Sequence, residues 1–476
     1  MFKTKFKSIS AVFFLILFGS ILRIYNLNFD DFWYDEMVTF WLSDPNLTFF
    51  ETLKRVFSSN LMVSYEIFLK FYHQLVGYDV YNSRYFSSIL SIISLSFFYV
   101  LLRKNSSTEA AIYGLLLLVI NIYHIKYSLE LRSYILTFLF TIILISLIFE
   151  NKKIKPSFKI LNYFSIFFVT LFLLFSHAFS AIIIFSLVIF LLLKFYEGKI
   201  QKRVIINLLV ILLFSLSIFL FIYLNNINHY PEWIEQVDLS FYTNFYFSKF
   251  FGSRLLGLLF LISFIYLLFK FRKTLQNNLD IYSFFLITIF ASYILPLLFG
   301  YLIKPILVDR YILFVLIPLL ALISNFVFLL RNTLIKYFLI IFLIISQIAN
   351  LFDEYTFKQF YTDIYPSKPE VKKSLEVIDK SNMKAYSFYL DRQNFINYNS
   401  VRENYIKKII EKFGYKINFF NYYTDQTFPN KFWLIYFKDT TKENFKIPER
   451  LSEYTILGDE VFNRIELYLL EKNKDL

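Results

Sequence analysis

Apolar runs recur from the start of the chain to about residue 352, at lengths near the roughly 20 helical residues needed to cross about 30 Å of hydrocarbon. They predict eleven membrane-spanning helices near 8–25, 86–102, 110–124, 133–149, 160–176, 178–194, 204–224, 254–270, 281–300, 311–330 and 335–351. Residues 160–193 contain no lysine, arginine or acid. A single helix over that stretch would extend about 51 Å at ~1.5 Å per residue. The run is therefore read as two helices turning near Ser176 and His177.

Basic residues fall in alternate loops: Lys3, Lys5 and Lys7, then Arg103 and Lys104, then the lysines of 152–159, and onward to Arg331 and Lys336. The intervening loops carry the acids Asp30, Asp31, Asp35, Glu36, Asp44, Glu232, Glu235 and Asp238. A positive-inside distribution makes the first set cytoplasmic, and eleven spans starting inside place the C-terminus outside. The first span is read as an uncleaved anchor, because no small-residue cleavage site follows it. Residues 1–351 are thus expected to form a membrane domain whose first exterior loop covers 26–85.

Past residue 352 the pattern shortens. Ala385–Leu390, Phe432–Phe437 and Arg464–Leu470 read as strands. Pro369–Asp379 and Val401–Phe413 have helical spacing, the second closing at Gly414. Residues 352–476 are expected to be a small exterior α/β domain. They hold 20 basic and 19 acidic residues, so the net charge of +13 belongs to the membrane part, beside anionic lipid. That removes the main support for nucleic-acid binding. The composition, 57% hydrophobic against 18% charged with 63 Phe in 476 residues, excludes a disordered chain and argues against a water-soluble one. Without cysteine there is no disulfide or thiolate nucleophile, and the four scattered histidines have no metalloprotease spacing.

Three clusters at the exterior ends of the spans carry candidate chemistry. After the first span comes Asp30-Asp31-Phe32-Trp33-Tyr34-Asp35-Glu36, leading into Met37, Phe40 and Trp41. Trp33, Met37, Phe40 and Trp41 share one helix face, expected to lie in the membrane interface with its aromatic side down. Asp35 and Glu36, about 100° apart around such a helix, should not aim at one reacting atom; one is read as a base and the other as an anchor. The plain alternative, most natural for Asp30 and Asp31, is that these acids solvate a loop. A second cluster, Tyr127-Ser128-Leu129-Glu130-Leu131-Arg132-Ser133-Tyr134, opens the fourth span. A third, Lys304 to Tyr311 with Asp309 and Arg310, precedes the tenth. Two cations there suit a phosphate, which arginine binds bidentately. The alternative for Arg132 and Arg310 is snorkelling from helix ends.

Taken together, Trp33-Tyr34-Asp35-Glu36, Arg84-Tyr85-Phe86-Ser87, the Tyr127–Tyr134 cluster and Asp309-Arg310-Tyr311 resemble membrane glycosyltransferases of the GT-C class. The likeness is to bacterial relatives of the protein O-mannosyltransferases (glycosyltransferase family 39) and to the aminoarabinose transferases of lipid A, over roughly residues 8–350. Where such relatives carry His-Pro-Pro in the first loop, this chain has Asn60 to Tyr65. His177 matches a position where they often have histidine.

The resemblance implies a multi-pass α-helical GT-C-like membrane protein of the cell envelope. It would transfer a sugar from a polyprenyl-phosphate-linked donor to an exterior acceptor: protein, lipid A or glycan. An acceptor hydroxyl must lose its proton as it attacks the anomeric carbon, so a carboxylate base is needed, and cations must stabilise the departing phosphate. Asp35 is the candidate base with Glu36 as fallback; Arg132, Lys304 and Arg310 are candidates for the donor phosphate; Glu130, Tyr127, Arg84 and His177 are candidates for substrate contact. One base and direct displacement predict inversion. No cofactor is called for, and a lone His177 does not support a divalent metal. The rival reading is a polytopic transporter or flippase of lipid-linked sugars, which internal repeats and midplane helix breaks would favour.

Overall fold

A computed structural model describes residues 2–25, 27–59, 63–150, 153–155, 159–198, 200–226, 234–237, 247–251, 253–272, 280–353, 368–381, 383–388, 398–422, 427–438 and 445–473. Asn60–Met62 of the first loop, Lys152, Lys199, Glu232, Asp238 and the end of the Ala385–Leu390 strand lie outside these residues. The chain divides into two compact units. One comprises Met1–Tyr25, Leu53–Phe68 and Phe86–Thr362; the other comprises Asn26–Thr52, Leu69–Tyr85 and Asp363–Leu476. Most of the expected first loop thus groups with the tail, although Leu53–Phe68 belongs to the first unit and the loop's last residues open the apolar helix Val80–Asn105.

The first unit is helical. By length and composition five described helices are apolar enough to cross a membrane: Val80–Asn105 (which begins in the other unit), Ala178–Glu197, Lys202–Asn225, Ile281–Leu302 and Asp309–Leu329. A sixth arises if Thr108–Val119 and Ile122–Ser128, bent by 57° at their junction, make one crossing. Shorter apolar helices cover Ser8–Ile24, Tyr134–Ile148, Ile160–Leu174 and Thr333–Ala349. Large side chains such as Phe13, Phe14, Phe221, Leu224 and Leu334 stand exposed on these helices, an outcome stable in lipid and unfavourable in water. This is a membrane protein.

Local chemistry accounts for the breaks. The uncharged run over 160–193 turns as its length requires: Ile160–Leu174 ends, a short turn covers Ala178–Ser180, and Ala181–Glu197 follows. The expected single helix over 110–124 is corrected. It stops at Val119, and Asn121 starts the next segment by accepting from the His124 N–H at 3.0 Å, an N-cap bond that competes with helix continuation. The carbonyls left at that break are met by Arg23, which is fully buried. Its Nη1 donates to Val119 O (3.1 Å) and Gly19 O (3.0 Å), its Nη2 to Leu118 O (3.1 Å), and its Nε to Ser91 Oγ (2.7 Å). A short antiparallel pair, β1 (Phe149–Glu150) and β2 (Lys153–Ile154), turns the chain between two helices.

In the second unit, β3 (Ala385–Phe388), β4 (Phe419–Asn421), β5 (Lys431–Phe437), β6 (Tyr454–Phe462) and β7 (Ile465–Lys472) form one sheet in the order β4-β3-β5-β7-β6. β3 runs parallel to both β4 and β5, while β7 is antiparallel to β5 and β6. β5 is buried along nearly its whole length, as a central strand covered on both faces must be. Helices Val371–Ser381 and Tyr398–Phe413 accompany the sheet, and Gly414, at φ 66°, ends the second in the left-handed conformation that glycine adopts without strain.

Candidate functional site

In the second unit, the acidic motif forms the start of helix Tyr34–Leu42. Glu36, three residues inside, accepts from the Trp33 backbone N–H at 3.4 Å, the backward reach of a capping carboxylate. It is 0% exposed. Oε1 accepts from Arg84 Nε at 2.9 Å, while Oε2 accepts from Arg84 Nη2 at 2.9 Å and from Lys368 Nζ at 2.8 Å. Burial alone would raise the Glu36 carboxyl, but the two cations outweigh it and hold the group at about 2.

Arg84, expected to touch substrate, has all five N–H groups engaged. Besides Glu36 it donates to Leu27 O (3.2 Å), Asp30 O (2.5 Å) and Asp31 O (3.1 Å), and its guanidinium lies 4.8 Å over the Phe32 ring. It therefore holds residues 27–36 as one folded loop. Lys368 carries no local sequence signal. Only a buried carboxylate in need of a second cation marks it.

The aromatic face expected in the membrane interface is instead packed inside protein. Met37 and Phe40 are fully buried and Trp41 nearly so. Phe40 stacks on Tyr78 with ring centroids 4.1 Å apart and meets Phe32 edge-on at 5.9 Å. Helical periodicity specifies that a face is covered, not whether lipid or protein covers it. Asp31, expected to solvate the loop, accepts from the Lys372 N–H at 2.8 Å at the start of helix Val371–Ser381, where a carboxylate meets the positive helix end. Phe32 completes the clasp: its N–H donates to Tyr405 Oη at 2.9 Å and its ring stacks on that tyrosine at 5.1 Å. Burial, partly offset by Lys368 and Arg84, pushes the Asp30 carboxyl up to about 6. Asp35, one residue before Glu36 and so about 100° around the helix, is half-buried and outside the Glu36 ion pair.

In the first unit, rings join the remaining motifs. Tyr127 meets Tyr134 edge-on at 5.3 Å, Tyr134 lies 5.7 Å from His177, and His177 lies 4.8 Å from Tyr311. His177 Nδ1 accepts from the Phe179 N–H at 3.2 Å, so the neutral ring carries its proton on Nε2. Burial, followed by the positive charges of Arg132 and Arg310, pushes the His177 imidazole down to about 3. Both arginines therefore act on one histidine from motifs far apart in sequence. Glu130, 7% exposed, is tied to Arg132 through a backbone bond from Arg132 N to Glu130 O at 2.9 Å. Tyr127 lies within electrostatic reach of Asp309, Glu130 and Arg310.

The structure thus gathers Tyr127, Glu130, Arg132, His177 and Arg310. Lys304 sits half-buried in the segment after helix Asp280–Leu302, with its backbone N–H on Phe299 O at 3.2 Å. A residue passed over in the sequence, Glu66 on helix Val63–Val76, is buried within reach of the Arg132 charge. Among the described residues no three His, Asp or Glu side chains gather as a metal site.

Likeness in three dimensions shows the fold. The archaeal oligosaccharyltransferase AglB of Archaeoglobus fulgidus, solved with an inhibitory peptide and a dolichol-phosphate, superposes with a TM-score of 0.56 at 10% identity, over 92% of this chain and 70% of its own. ArnT of Cupriavidus metallidurans, solved in the apo state, does so at 0.55 and 9% identity, over 97% of this chain and 98% of its own. This is the GT-C fold. No family model and no curated protein matches the sequence, as expected when a fold persists at about a tenth identity. The GT-C likeness covers the tail as well as the spans, since it extends over nearly the whole chain.

Proposed function

We propose that the protein is a glycosyltransferase that moves a sugar from a polyprenyl-phosphate-linked donor to an acceptor on the outer face of the membrane. The observation that carries this reading is the packing of Tyr134 and Tyr311, which neighbour Arg132 and Arg310 in sequence, against His177 at 5.7 and 4.8 Å. Two arginines and a neutral imidazole with one N–H to donate suit a phosphate, which takes bidentate guanidinium bonds and one further donor. The AglB structure contains a dolichol-phosphate, which supports a lipid phosphate as the occupant.

In this mechanism Arg132 and Arg310, with Lys304, bind the donor phosphate and stabilise the negative charge it gains as the sugar leaves. His177 donates through Nε2, and Tyr127 and Glu130 line the same place, Glu130 orienting Arg132 or touching the sugar. Asp35 takes the proton of the acceptor hydroxyl as that oxygen attacks the anomeric carbon. One displacement inverts the centre. Glu36 serves as the anchor, because a carboxyl held at about 2 by two cations is a poor proton acceptor. Arg84 organises the loop. The basic loops face the cytoplasm and residues 352–476 face outward, with the isoprenoid remaining in hydrocarbon.

The test is transfer of label from radioactive polyprenyl-phosphate sugars to an exterior molecule in membranes containing the protein. Label that crosses the bilayer on its original lipid, with no acceptor labelled, would favour a flippase.

A further inference from the structure

Glu66 stands on the first turn of helix Val63–Val76 and is 3% exposed. Its position is fixed by its neighbours. The Ser64 N–H donates to Phe175 O at 2.9 Å, fastening the start of this helix to the chain two residues before His177. Tyr65 Oη and Ser87 Oγ share a hydrogen bond of 2.5 Å, and Phe68 packs on Phe172 at 5.4 Å. Held in this way, Glu66 lies near Arg132, whose charge acts on it.

One oxygen of its carboxyl is left unsatisfied by protein. Oε2 is shielded from solvent and has no hydrogen-bond partner. The contrast with Glu36 is direct. Glu36 uses both oxygens on Arg84 and adds Lys368, which is how a structural carboxylate is satisfied. A buried carboxyl oxygen left without a partner is costly and calls for an occupant or a role. Burial pushes the group up to about 7 against the pull of Arg132, so near neutrality it is present both as acid and as carboxylate.

We infer that Glu66 reads the sugar of the donor: with the phosphate on Arg132, the adjoining carboxyl hydrogen-bonds a hydroxyl of the ring attached to that phosphate. The inference rests on the phosphate role proposed for Arg132. The anomeric carbon is one bond from a phosphate oxygen, so a residue beside the phosphate-binding guanidinium meets the ring itself. A hydroxyl both donates and accepts, and therefore satisfies the carboxyl in either protonation state. A carrier phosphate without its sugar leaves that oxygen unmet. Glu66 thus favours the loaded carrier over the spent one, which promotes release of the spent carrier after transfer.

The experiment is equilibrium binding to the purified full-length protein in detergent. The ligands are undecaprenyl phosphate and the undecaprenyl-phosphate derivatives of glucose, galactose, mannose and N-acetylglucosamine. Wild type should bind at least one sugar-bearing lipid about tenfold tighter than the bare phosphate, the worth of one good hydrogen bond. Glu66→Ala should erase that gain and leave the bare phosphate within about twofold of wild type. Glu66→Gln, which keeps the shape and a donor and acceptor, should retain most of it.

The inference is overturned if Glu66→Ala keeps the gain, if it weakens the bare phosphate by the same factor, or if wild type gains nothing from any sugar. Arg132→Ala should weaken bare and loaded lipids alike. If it changes neither, the phosphate role of Arg132 fails instead, and the two failures are distinguishable.

Discussion

Glu36 and Arg84 meet through two nearly parallel hydrogen bonds of 2.9 Å, both side chains almost wholly removed from solvent. The remaining Arg84 donors hold the carbonyls of Leu27, Asp30 and Asp31. One ion pair therefore sets the path of the segment that presents Asp35. Removing Glu36 leaves the Arg84 charge buried without its counter-ion, and removing Arg84 leaves Glu36 on Lys368 alone with three loop carbonyls deprived of a donor, each at a cost of about 3–5 kcal/mol. Arg84→Ala and Glu36→Ala should each lower the unfolding midpoint by several degrees and abolish activity. Lys368→Ala should cost less, because the bidentate pair survives it. Thermal unfolding in detergent checks the ranking, and a Lys368→Ala loss as large as that of Arg84→Ala would contradict it.

The same pair predicts an acid limit. Glu36 is held at about 2 in the folded protein, below the ordinary 4.5 of a glutamate carboxyl. A lowered carboxyl contributes stability that is complete above the unfolded value and is lost as pH falls through the folded one. Stability should decline between about pH 4.5 and 2, and Glu36→Gln should show a shallower decline there. Chemical denaturation at a series of pH values reads the slope.

A second pH effect belongs to His177, held at about 3 against an ordinary 6.5. The unfolded chain binds a proton below 6.5 that the folded site refuses, so acidification from 6.5 toward 3 costs stability. His177→Gln should remove this part of the slope while keeping a hydrogen-bonding side chain. A variant with the wild-type slope over that window would place the titrating group elsewhere.

Arg23 offers a third test. Its guanidinium meets Leu118 O and Val119 O at a helix break and also pairs with His124 Nδ1 at 2.8 Å. Arg23→Ala takes the donor from Val119 O and leaves Leu118 O with the Asn121 N–H alone, at about 1–3 kcal/mol for an unsatisfied group. Lysine, with one compact ammonium in place of a planar fork, should not restore the loss. Recovery of the wild-type midpoint by Arg23→Lys would show that charge alone is needed there.

That the chain is rich in apolar helices and carries a small sheet near its end was legible because those signals are periodic and local. The turn at Ser176–His177 follows from the length of an uncharged run, and the helix ending at Gly414 follows from its spacing and its glycine. β4 and β6 escaped notice. Phe419–Asn421 is very short, and Tyr454–Phe462 is an edge strand whose mixed residues lack clean alternation. Among the candidate residues, Asp35, Glu36, Arg132 and Arg310 stand out in the sequence as charges beside apolar runs. Lys368 and Glu66 do not, because each gains its meaning from partners far away in sequence, as Lys368 does from a carboxylate 332 residues earlier. The buried face of Met37 and Phe40 shows the same gap, since a pattern reports that a residue is covered but not by what.

The most direct measurement of the central claim is sugar transfer from radiolabelled undecaprenyl-phosphate hexoses in membranes containing wild type, Asp35→Asn, Arg310→Ala or Lys336→Ala. Wild type and Lys336→Ala should label an exterior acceptor at equal rates. Asp35→Asn should lower the turnover rate at least 100-fold, the scale of losing a general base, with donor KM little changed. Arg310→Ala should raise donor KM and slow turnover as well. Undiminished transfer by Asp35→Asn, or no transfer by wild type from any donor offered, would contradict the account.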